Sequence, residues 1–279
     1  MSDVAKVLTE SLPYLLKYQG QTVVIKYGGN AMLDEKMKQS VLSDLLFLKM
    51  SGLKIVLVHG GGPAITEILD KFEVEHQFVN GLRYTNKKTA RLALMALCDL
   101  NKSLVCDMIK LGGKAIGMSG VDGTLIEAKQ LSEQYGYVGE ITRINSELIE
   151  NVLKMDQMPI IATSGVDQMG NIYNVNADTA ASHIAAALKA ERLIILSDVR
   201  GIYTNFPDES SFVEEIFYHE LKALVSSHRI SGGMIPKVEA INYALKQGLD
   251  QVVLLDGRIK NALLLELFTE KGVGTLIKR

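Results

Sequence analysis

Two strands that end in glycines constrain the fold of this chain more than any other feature of its sequence. The apolar run Thr22-Val-Val-Ile-Lys-Tyr27 leads into Gly28-Gly29, and the run Lys54-Ile-Val-Leu-Val-His59 leads into Gly60-Gly-Gly-Pro63. A helical pattern follows each run, so the expected unit is a strand, a tight turn and a helix. Such turns expose backbone N–H groups and a helix N-terminus, which together bind phosphate or carboxylate.

Strand and helix patterns alternate along the rest of the chain. Strands are predicted over 22–26, 53–58, 159–163, 192–196, 251–255 and 274–278. Helices are predicted over 36–51, 63–73, 87–111, 145–154, 177–189, 218–227, 235–247 and 261–270. A short extended piece is expected near 77–79, and residues 114–144 predict antiparallel hairpins that form a small flap. This alternation predicts an α/β fold, a three-layer αβα sandwich with a mostly parallel central sheet.

The chain is expected to form one domain over residues 1–279, made of two lobes that share the sheet. An N-terminal helix over 1–19 precedes an N-lobe of about 20–190 and a C-lobe of about 191–279. The opening helix carries one apolar stripe, formed by Val4, Val7, Leu8, Leu12, Leu15 and Leu16. This stripe packs either on its own domain or on another subunit.

Composition excludes several classes of function. The 30 basic and 32 acidic side chains nearly balance, so nucleic acid and anionic membranes are not expected partners. Cys98 and Cys106 lie on a helical pattern without histidines at ligand spacing, which predicts buried reduced thiols and no metal site. The charged residues Asp3, Lys6 and Glu10 interrupt the apolar region that a signal peptide would need, so a cytoplasmic location is expected. The N-glycosylation sequon at Asn101 is then not expected to be glycosylated.

Two lysines beside glycine turns indicate phosphoryl transfer. Lys26 ends the first strand, and Lys237 follows Gly232-Gly233 one turn into a helix, so each ammonium group faces an anion-binding turn. The P-loop and dinucleotide-binding glycine patterns are absent from the sequence, as are the nucleophile elbow and the zinc-protease motif. The chain therefore holds phosphate by another arrangement.

Further polar residues are candidates for binding. Arg83 is either a solvated surface residue or a two-pronged carboxylate ligand. Asn174 is a candidate ligand for an amide or carboxylate, whereas Asp178 either caps a helix or orients the lysines. Ser197-Asp198 ends a strand and is a candidate contact for a nucleotide or its magnesium ion. His59 is interpreted as a structural residue that orients its turn.

Together these motifs resemble the acetylglutamate kinases of the amino acid kinase family. The resemblance spans nearly the whole chain and is carried by the segments 25–32, 59–63, 81–85, 174–178, 196–201, 232–237 and 272–275. It implies an open α/β sandwich whose N-lobe binds N-acetyl-L-glutamate and whose C-lobe binds ATP with Mg²⁺. It also implies dimer contacts in the N-lobe.

The resemblance assigns roles residue by residue. Lys26 and Lys237 would stabilise the transition state, Asp178 would organise them, and Gly29 would donate its N–H to the transferring phosphoryl group. The substrate would be held by Gly61, Gly62, Arg83 and Asn174. The nucleotide would be held by Lys26, Gly28, Gly29, Ser197, Asp198 and Lys237. A γ-carboxylate with a reference pKa of about 4.3 is already ionised near neutral pH, so the reaction needs no general base.

The N-terminal helix resembles that of the arginine-inhibited branch, in which such helices join dimers into hexamers. Tyr14, Glu266 and Gly272 match parts of the inhibitor site, but Val253 stands where this branch is expected to have a histidine. Inhibition by L-arginine is therefore a hypothesis. Two other functions stay open: a kinase for a glutamate or aminoadipate linked to a carrier protein, and a non-catalytic sensor on the same fold.

Overall fold

A computed structural model describes residues 2–29, 32, 34–206, 208–227, 229–230 and 232–279, with side chains from residue 9 onward. Its helices are α1 (Ser2–Tyr18), α2 (Glu35–Met50), α3 (Gly62–Lys71), α4 (Lys87–Lys110), α5 (Ser146–Lys154), α6 (Ala177–Ala187), α7 (Tyr218–Ser226), α8 (Ile235–Lys246) and α9 (Ala262–Phe268). Its first strands are β1 (Thr22–Tyr27), β2 (Lys54–His59), β3 (Phe78–Val79), β4 (Leu82–Arg83), β5 (Ala115–Ser119), β6 (Ile126–Gln130), β7 (Gly139–Ile144) and β8 (Met158–Ala162). The later strands are β9 (Ser164–Val166), β10 (Ile172–Asn174), β11 (Arg192–Ser197), β12 (Ile202–Tyr203), β13 (Phe212–Val213), β14 (Glu215–Phe217), β15 (Gln251–Asp256) and β16 (Thr275–Lys278).

The central sheet has eight strands in the described part of the chain, in the order β14-β16-β15-β11-β1-β2-β8-β5. Neighbouring strands are parallel except for β15 and β16, which run antiparallel. The central strands β1, β2 and β11 are almost fully buried, as expected for parallel strands that are covered on both faces. The predicted mostly parallel sheet is confirmed.

Helices cover both faces of this sheet. On β1, Val24 packs in one apolar cluster with Ile184 of α6, whereas Ile25 packs in a separate cluster with Leu45 of α2. Successive side chains of a strand point to opposite faces, so the two clusters lie on opposite sides of the sheet. The three-layer αβα sandwich predicted from the sequence is thereby confirmed.

The prediction for residues 114–144 is wrong for its first part. Residues 115–119 form β5, which pairs in parallel with β8 at the edge of the central sheet. The hairpin that follows is confirmed, because β6 pairs antiparallel with β7. It belongs to a four-stranded sheet of order β10-β9-β6-β7, so the flap also contains strands from after residue 160.

The N-terminal helix α1 packs on the body of the molecule through part of its surface. Tyr18 is buried and Tyr14 packs against the same apolar cluster, whereas Leu12 and Leu16 are 50% and 64% exposed. Of the predicted stripe, Leu12 and Leu16 are therefore exposed and Leu15 is partly buried, while the packing of the helix is made by the two tyrosines. The side chains of Val4, Val7 and Leu8 lie outside the described residues.

The two cysteines are free thiols, as expected, but the prediction that both are buried is wrong. Cys98 is partly buried on α4, and Cys106 is exposed. Eight residues turn the helix by about 80° more than two full turns, so the two side chains do not point in the same direction. Among the described helices, none is both long and apolar enough to span a membrane.

Candidate active site

Parallel pairing brings three strand ends to the same edge of the sheet. In the register of the sheet, Tyr27 lies beside His59, and Lys26 lies beside Ile195 of β11. The chain therefore leaves the sheet at three neighbouring places, which are Gly28-Gly29, Gly60–Gly62 and Ser197-Asp198. The carboxyl ends of parallel strands are where α/β sheets bind ligands.

Asp178 joins the two predicted lysines at this edge. Its Oδ1 lies 3.0 Å from Lys26 Nζ, and its Oδ2 lies 2.9 Å from Lys237 Nζ. The side chains of Lys26 and Asp178 are each only 7% exposed, and that of Lys237 is 19% exposed. Asp178 does not cap α6, because Asn176 accepts the N–H groups of Asp178 and Thr179 in that role. Of the two interpretations of Asp178, capping is wrong and contact with both lysines is observed.

The electrostatics of this cluster follow from its burial. Burial by itself raises the pKa of Asp178, but the charges of Lys26 and Lys237 and their hydrogen bonds outweigh it and hold the pKa below its usual range. Burial also lowers the pKa of Lys26, with a further contribution from the charge of Lys237, while Asp178 opposes the shift. A second anion beside Lys26 would stabilise its charged form.

One cavity, of about 390 Å³, lies on the N-lobe side of this cluster. It is lined by the glycine turn at 60–62, by the β3–β4 hairpin and by Asn174. Gly62 has open space where a side chain would point, and Pro63 lies in the first turn of α3, as predicted. The turn therefore presents backbone rather than side chains to the cavity.

Arg83 lies at this cavity with part of its guanidinium group unpaired. Its Nη2 donates to Gly62 O at 3.2 Å and to Thr66 Oγ1 at 2.8 Å, and the group lies against the ring of Phe78. Its Nη1 is buried and has no hydrogen-bond partner among the residues that the structure describes. Arg83 is 7% exposed, so the solvated-surface interpretation is wrong. A buried donor without a partner is costly, and a carboxylate in the cavity would satisfy it.

Asn174 ends β10 and lines the same cavity. Its Nδ2 lies 3.4 Å from Thr85 Oγ1, and Thr85 in turn donates to Arg83 O at 2.8 Å. Arg83 and Asn174, which are far apart in the sequence, are thus linked through one buried threonine.

A second cavity, of about 450 Å³, lies on the C-lobe side. It contains Ser197, Asp198 and Lys237, together with an aromatic wall formed by Tyr203 and Phe206. Gly29 has φ +78°, and a Cβ atom there would lie 2.6 Å from Asp198 Oδ1. Only glycine fits this close approach with a positive φ.

The two cavities share part of their walls. Lys26, Gly28 and Gly29 line both of them. A ligand in one cavity therefore meets a ligand in the other beside the Lys26 ammonium group.

One local prediction at this edge is wrong. Gly28 and Gly29 do not open a helix, because α2 begins at Glu35 and is capped by Asp34, whose Oδ1 accepts Met37 N at 2.9 Å. The first glycine turn thus offers its loop backbone, whereas the second offers a true helix N-terminus at Gly62. Lys237 lies in the first turn of α8, after a single 3₁₀ turn at Gly232–Met234.

The residues assigned to an inhibitor site lie away from these cavities, around α9. Glu266 is buried and accepts Val273 N at 2.9 Å and Gly274 N at 3.2 Å. Gly272 has φ +63°, and a Cβ atom there would lie 2.5 Å from Glu266 Oε2. Tyr14 lies on α1, which packs against α9. Among the described residues, no cluster of three or more His, Cys, Asp or Glu side chains forms a metal site.

Sequence reasoning missed several residues at the two cavities. Phe78 and Thr66 contact Arg83, Tyr203 and Phe206 wall the second cavity, and Asn101 lies behind the glycine turn. The aromatic and threonine contacts have no signal in the sequence. Asn101 had one, because it is a polar residue on the buried stripe of α4 between Leu97 and Leu104.

Comparisons with known proteins agree with this architecture. The model of the amino acid kinase family matches residues 21–256. The chain is similar to the acetylglutamate kinase of Lactococcus lactis subsp. cremoris, with 63% identity over 99% of this chain and 98% of that protein. It is also similar to the acetylglutamate kinase of Caldanaerobacter subterraneus subsp. tengcongensis, with 47% identity over 98% of this chain and 92% of that protein.

A solved structure shares the fold over nearly the whole chain. It is N-acetylglutamate synthase from Neisseria gonorrhoeae complexed with coenzyme A and N-acetyl-glutamate, with a TM-score of 0.87 and 22% identity. The match covers 99% of this chain, which spans 63% of the synthase. At that identity the likeness concerns the fold alone.

Proposed function

This chain belongs to the amino acid kinase family, and we propose that it transfers the γ-phosphoryl group of ATP to the γ-carboxylate of N-acetyl-L-glutamate. The product is N-acetyl-L-glutamyl 5-phosphate, an intermediate of arginine biosynthesis. The observation that carries the proposal is the wall of Lys26, Gly28 and Gly29 shared by two cavities. The relatives named acetylglutamate kinase support the choice of substrate.

The N-lobe cavity binds the acyl amino acid in this proposal. The unpaired Nη1 of Arg83 takes the α-carboxylate, and the N–H groups of Gly61 and Gly62 hold the end that reacts. Asn174, which lines the same cavity, contacts the acetamido group. The γ-carboxylate is ionised near neutral pH and attacks without a general base.

The two lysines stabilise the transition state. Negative charge spreads over the equatorial oxygens of the phosphoryl group as it passes in line between two anions. Lys26 stands at the meeting point of the cavities and Lys237 stands on the nucleotide side, so both neutralise this charge. Asp178 holds the two ammonium groups apart and in place, and Gly29 donates its N–H to the same oxygens.

The C-lobe cavity binds ATP. Tyr203 and Phe206 offer an aromatic wall to the purine, and Ser197 and Lys237 lie toward the phosphates. Mg²⁺ usually binds one or two carboxylates together with substrate phosphates, and Asp198 supplies one carboxylate beside Gly29. The donor set therefore fits Mg²⁺ carried on the nucleotide, which would neutralise phosphate charge. Asp178 is already paired with the two lysines.

We further propose a cytoplasmic homo-oligomer with a dimer core that is extended to a hexamer by the N-terminal helices. Exposed apolar side chains support subunit contacts at two places: Leu12 and Leu16 on α1, and Met95 and Ile109 on α4. Light scattering of the full chain and of a chain lacking residues 1–18 tests the proposal. Loss of the helix is expected to leave dimers, and an unchanged mass would contradict the role of α1.

The activity is tested by trapping the acyl phosphate with hydroxylamine in the presence of ATP and Mg²⁺. Hydroxamate is expected with N-acetyl-L-glutamate and not with glutamate, aspartate or carbamate. Its absence with every free acid would reject the proposal in favour of a carrier-linked substrate or a sensor.

A further inference from the structure

A buried hydrogen-bond network lies directly behind the glycine turn of the N-lobe cavity. His59 Nδ1 lies 2.9 Å from Gly60 O, and His59 Nε2 lies 3.0 Å from Asn101 Nδ2. Asn101 Nδ2 also lies 2.9 Å from Ile160 O and 3.3 Å from Met118 O. His59 is 0% exposed and Asn101 is 2% exposed. The network thus connects α4, the three neighbouring strands β2, β8 and β5, and the turn.

The partners of this network determine the tautomer of His59 and the orientation of the Asn101 amide. Backbone carbonyls only accept hydrogen bonds, so Asn101 Nδ2 is the amide nitrogen and His59 Nδ1 carries hydrogen toward Gly60 O. Burial lowers the pKa of His59 to about 4, so the ring is neutral at pH 7 and its Nε2 is an acceptor. Asn101 donates to that nitrogen. The two hydrogens of Asn101 Nδ2 face three acceptors, so one of them is shared, and the longest of the three contacts is the one to Met118 O at 3.3 Å.

The network determines the direction of an N–H group at the cavity. In a trans peptide the C=O and N–H bonds point in opposite directions, so holding Gly60 O against His59 turns Gly61 N–H away from the buried ring. Gly61 O accepts Ile65 N at 2.8 Å, which turns Gly62 N–H out of the N-terminus of α3. Arg83 holds Gly62 O from the cavity side.

We propose that Asn101 and His59 form a positioning pair. The pair fixes the Gly60–Gly61 peptide plane and directs Gly61 N–H toward the γ-carboxylate of the acyl amino acid, the group that reacts. The inference deepens the proposed function and rests on it. Neither side chain touches the substrate, so the pair acts through the backbone. The side chain of Asn101 fits at this place because residue 117 is a glycine. A Cβ atom at Gly117 would lie 2.1 Å from Asn101 Oδ1.

Two substitutions of His59 separate the two hydrogen bonds. His59→Asn keeps a donor near the Nδ1 position that can hold Gly60 O, whereas His59→Gln keeps a group near the Nε2 position that can pair with Asn101. His59→Gln is expected to raise KM for N-acetyl-L-glutamate by about tenfold or more, the effect of losing about 1.4 kcal/mol, with KM for ATP changed by less than about twofold. His59→Asn is expected to raise the first KM by less than about threefold.

His183→Gln is the matched control. His183 stacks on Tyr243 at a centroid distance of 3.7 Å and does not line either of the two cavities. A merely structural role of His59 would lower the melting temperature and leave the KM of the folded fraction unchanged. Equal KM values for His59→Asn and His59→Gln, or an equal rise of KM for ATP, would overturn the proposal.

The spectrum of the ligand-free protein tests the network without any assay. With ¹⁵N-labelled histidine, one of the five histidines is expected to keep a protonated Nδ1 and a bare Nε2 from pH 5 to pH 8. Asn101→Leu is expected to change the Nε2 signal of that histidine. A protonated Nε2 would reject the positioning pair even if the enzyme is active. A missing hydroxamate product would reject the proposed function and leave this result standing.

Discussion

Asp178 lies between two ammonium groups, and Asp178→Asn tests what that arrangement contributes. The substitution keeps the shape of the side chain and removes its charge. The amide oxygen can still accept from one lysine, but the amide nitrogen then faces the other lysine as a donor. Lys26 and Lys237 are left close together without a counter-ion in a site where Lys26 is almost completely buried.

The size of the effect follows from the geometry. At separations of 3.0 Å and 2.9 Å, each pair is worth about 5–6 kcal/mol at an effective dielectric constant of 20. Desolvation of the charges offsets much of this gain, and removing one partner of a buried pair costs about 3–5 kcal/mol in measured cases. We expect Asp178→Asn to lower the free energy of unfolding by about 3–5 kcal/mol. Most of the loss comes from Lys26, because Lys237 is better hydrated.

Urea unfolding of the wild type and the variant measures this loss, and its pH dependence has a defined sign. The pKa of Asp178 is lowered in the folded protein, so its contribution is fully present above the unfolded pKa of about 3.9. It disappears as the pH falls through the lower folded pKa. The difference between the two proteins that is due to this carboxylate should therefore be the same at pH 5 and pH 7.

The same variant is expected to lower kcat by about 10²–10³-fold, because both stabilising lysines lose their positions. KM for ATP should not rise, since two uncompensated ammonium groups attract the polyphosphate. Asp99→Asn, at an exposed position on α4, is the matched control. A loss below about 1 kcal/mol together with a kcat within about threefold of wild type would refute the reasoning.

Other substitutions test the remaining roles. Lys26→Ala and Lys237→Ala should each cost about 3–4 kcal/mol in transition-state stabilisation, and near-normal turnover in either would contradict its assignment. Arg83→Lys should raise KM for N-acetyl-L-glutamate by about tenfold and leave KM for ATP unchanged, because the lysine cannot form the same forked contact; an equal rise for both substrates would point to misfolding instead. Gly29→Ala should lower kcat strongly, since its Cβ would meet Asp198 Oδ1 at 2.6 Å in a left-handed conformation; unaltered kinetics would show that the loop can shift. Millimolar L-arginine should slow the reaction if the site around α9 is functional, and an unchanged rate would reject that hypothesis.

Local sequence signals were sufficient to identify a candidate site residue when it lies at the end of a strand or at the start of a helix. Lys26, the glycine turn at 60–62 and Lys237 belong to short motifs whose neighbours already reveal a turn and a helix. The alternation of strands and helices predicts a parallel sheet, and the carboxyl ends of its strands lie at one edge. The roles of these residues remain proposals, but the structure brings them together as expected.

Other features depend on contacts between distant segments. The strand at 115–119 was assigned to the flap because its short, glycine-containing sequence has no clear alternation, and only its pairing with β8 makes it part of the central sheet. Arg83 was ambiguous because its burial arises from Phe78 and the helix that carries Thr66. Asn101 was missed although it is a polar residue on an apolar stripe, because its partners come from three strands that are distant from it in the sequence.

The wall shared by the two cavities leads to an expectation for the kinetic order of the proposed reaction. Of its three residues, Lys26 alone has a side chain, and an ammonium group paired with Asp178 is not a nucleophile. On the proposed function, the phosphoryl group is therefore expected to pass directly from ATP to the acyl amino acid without an intermediate on Lys26. Initial-rate lines at several fixed ATP concentrations should therefore intersect rather than run parallel, and isotope exchange between ADP and ATP should require the acyl amino acid.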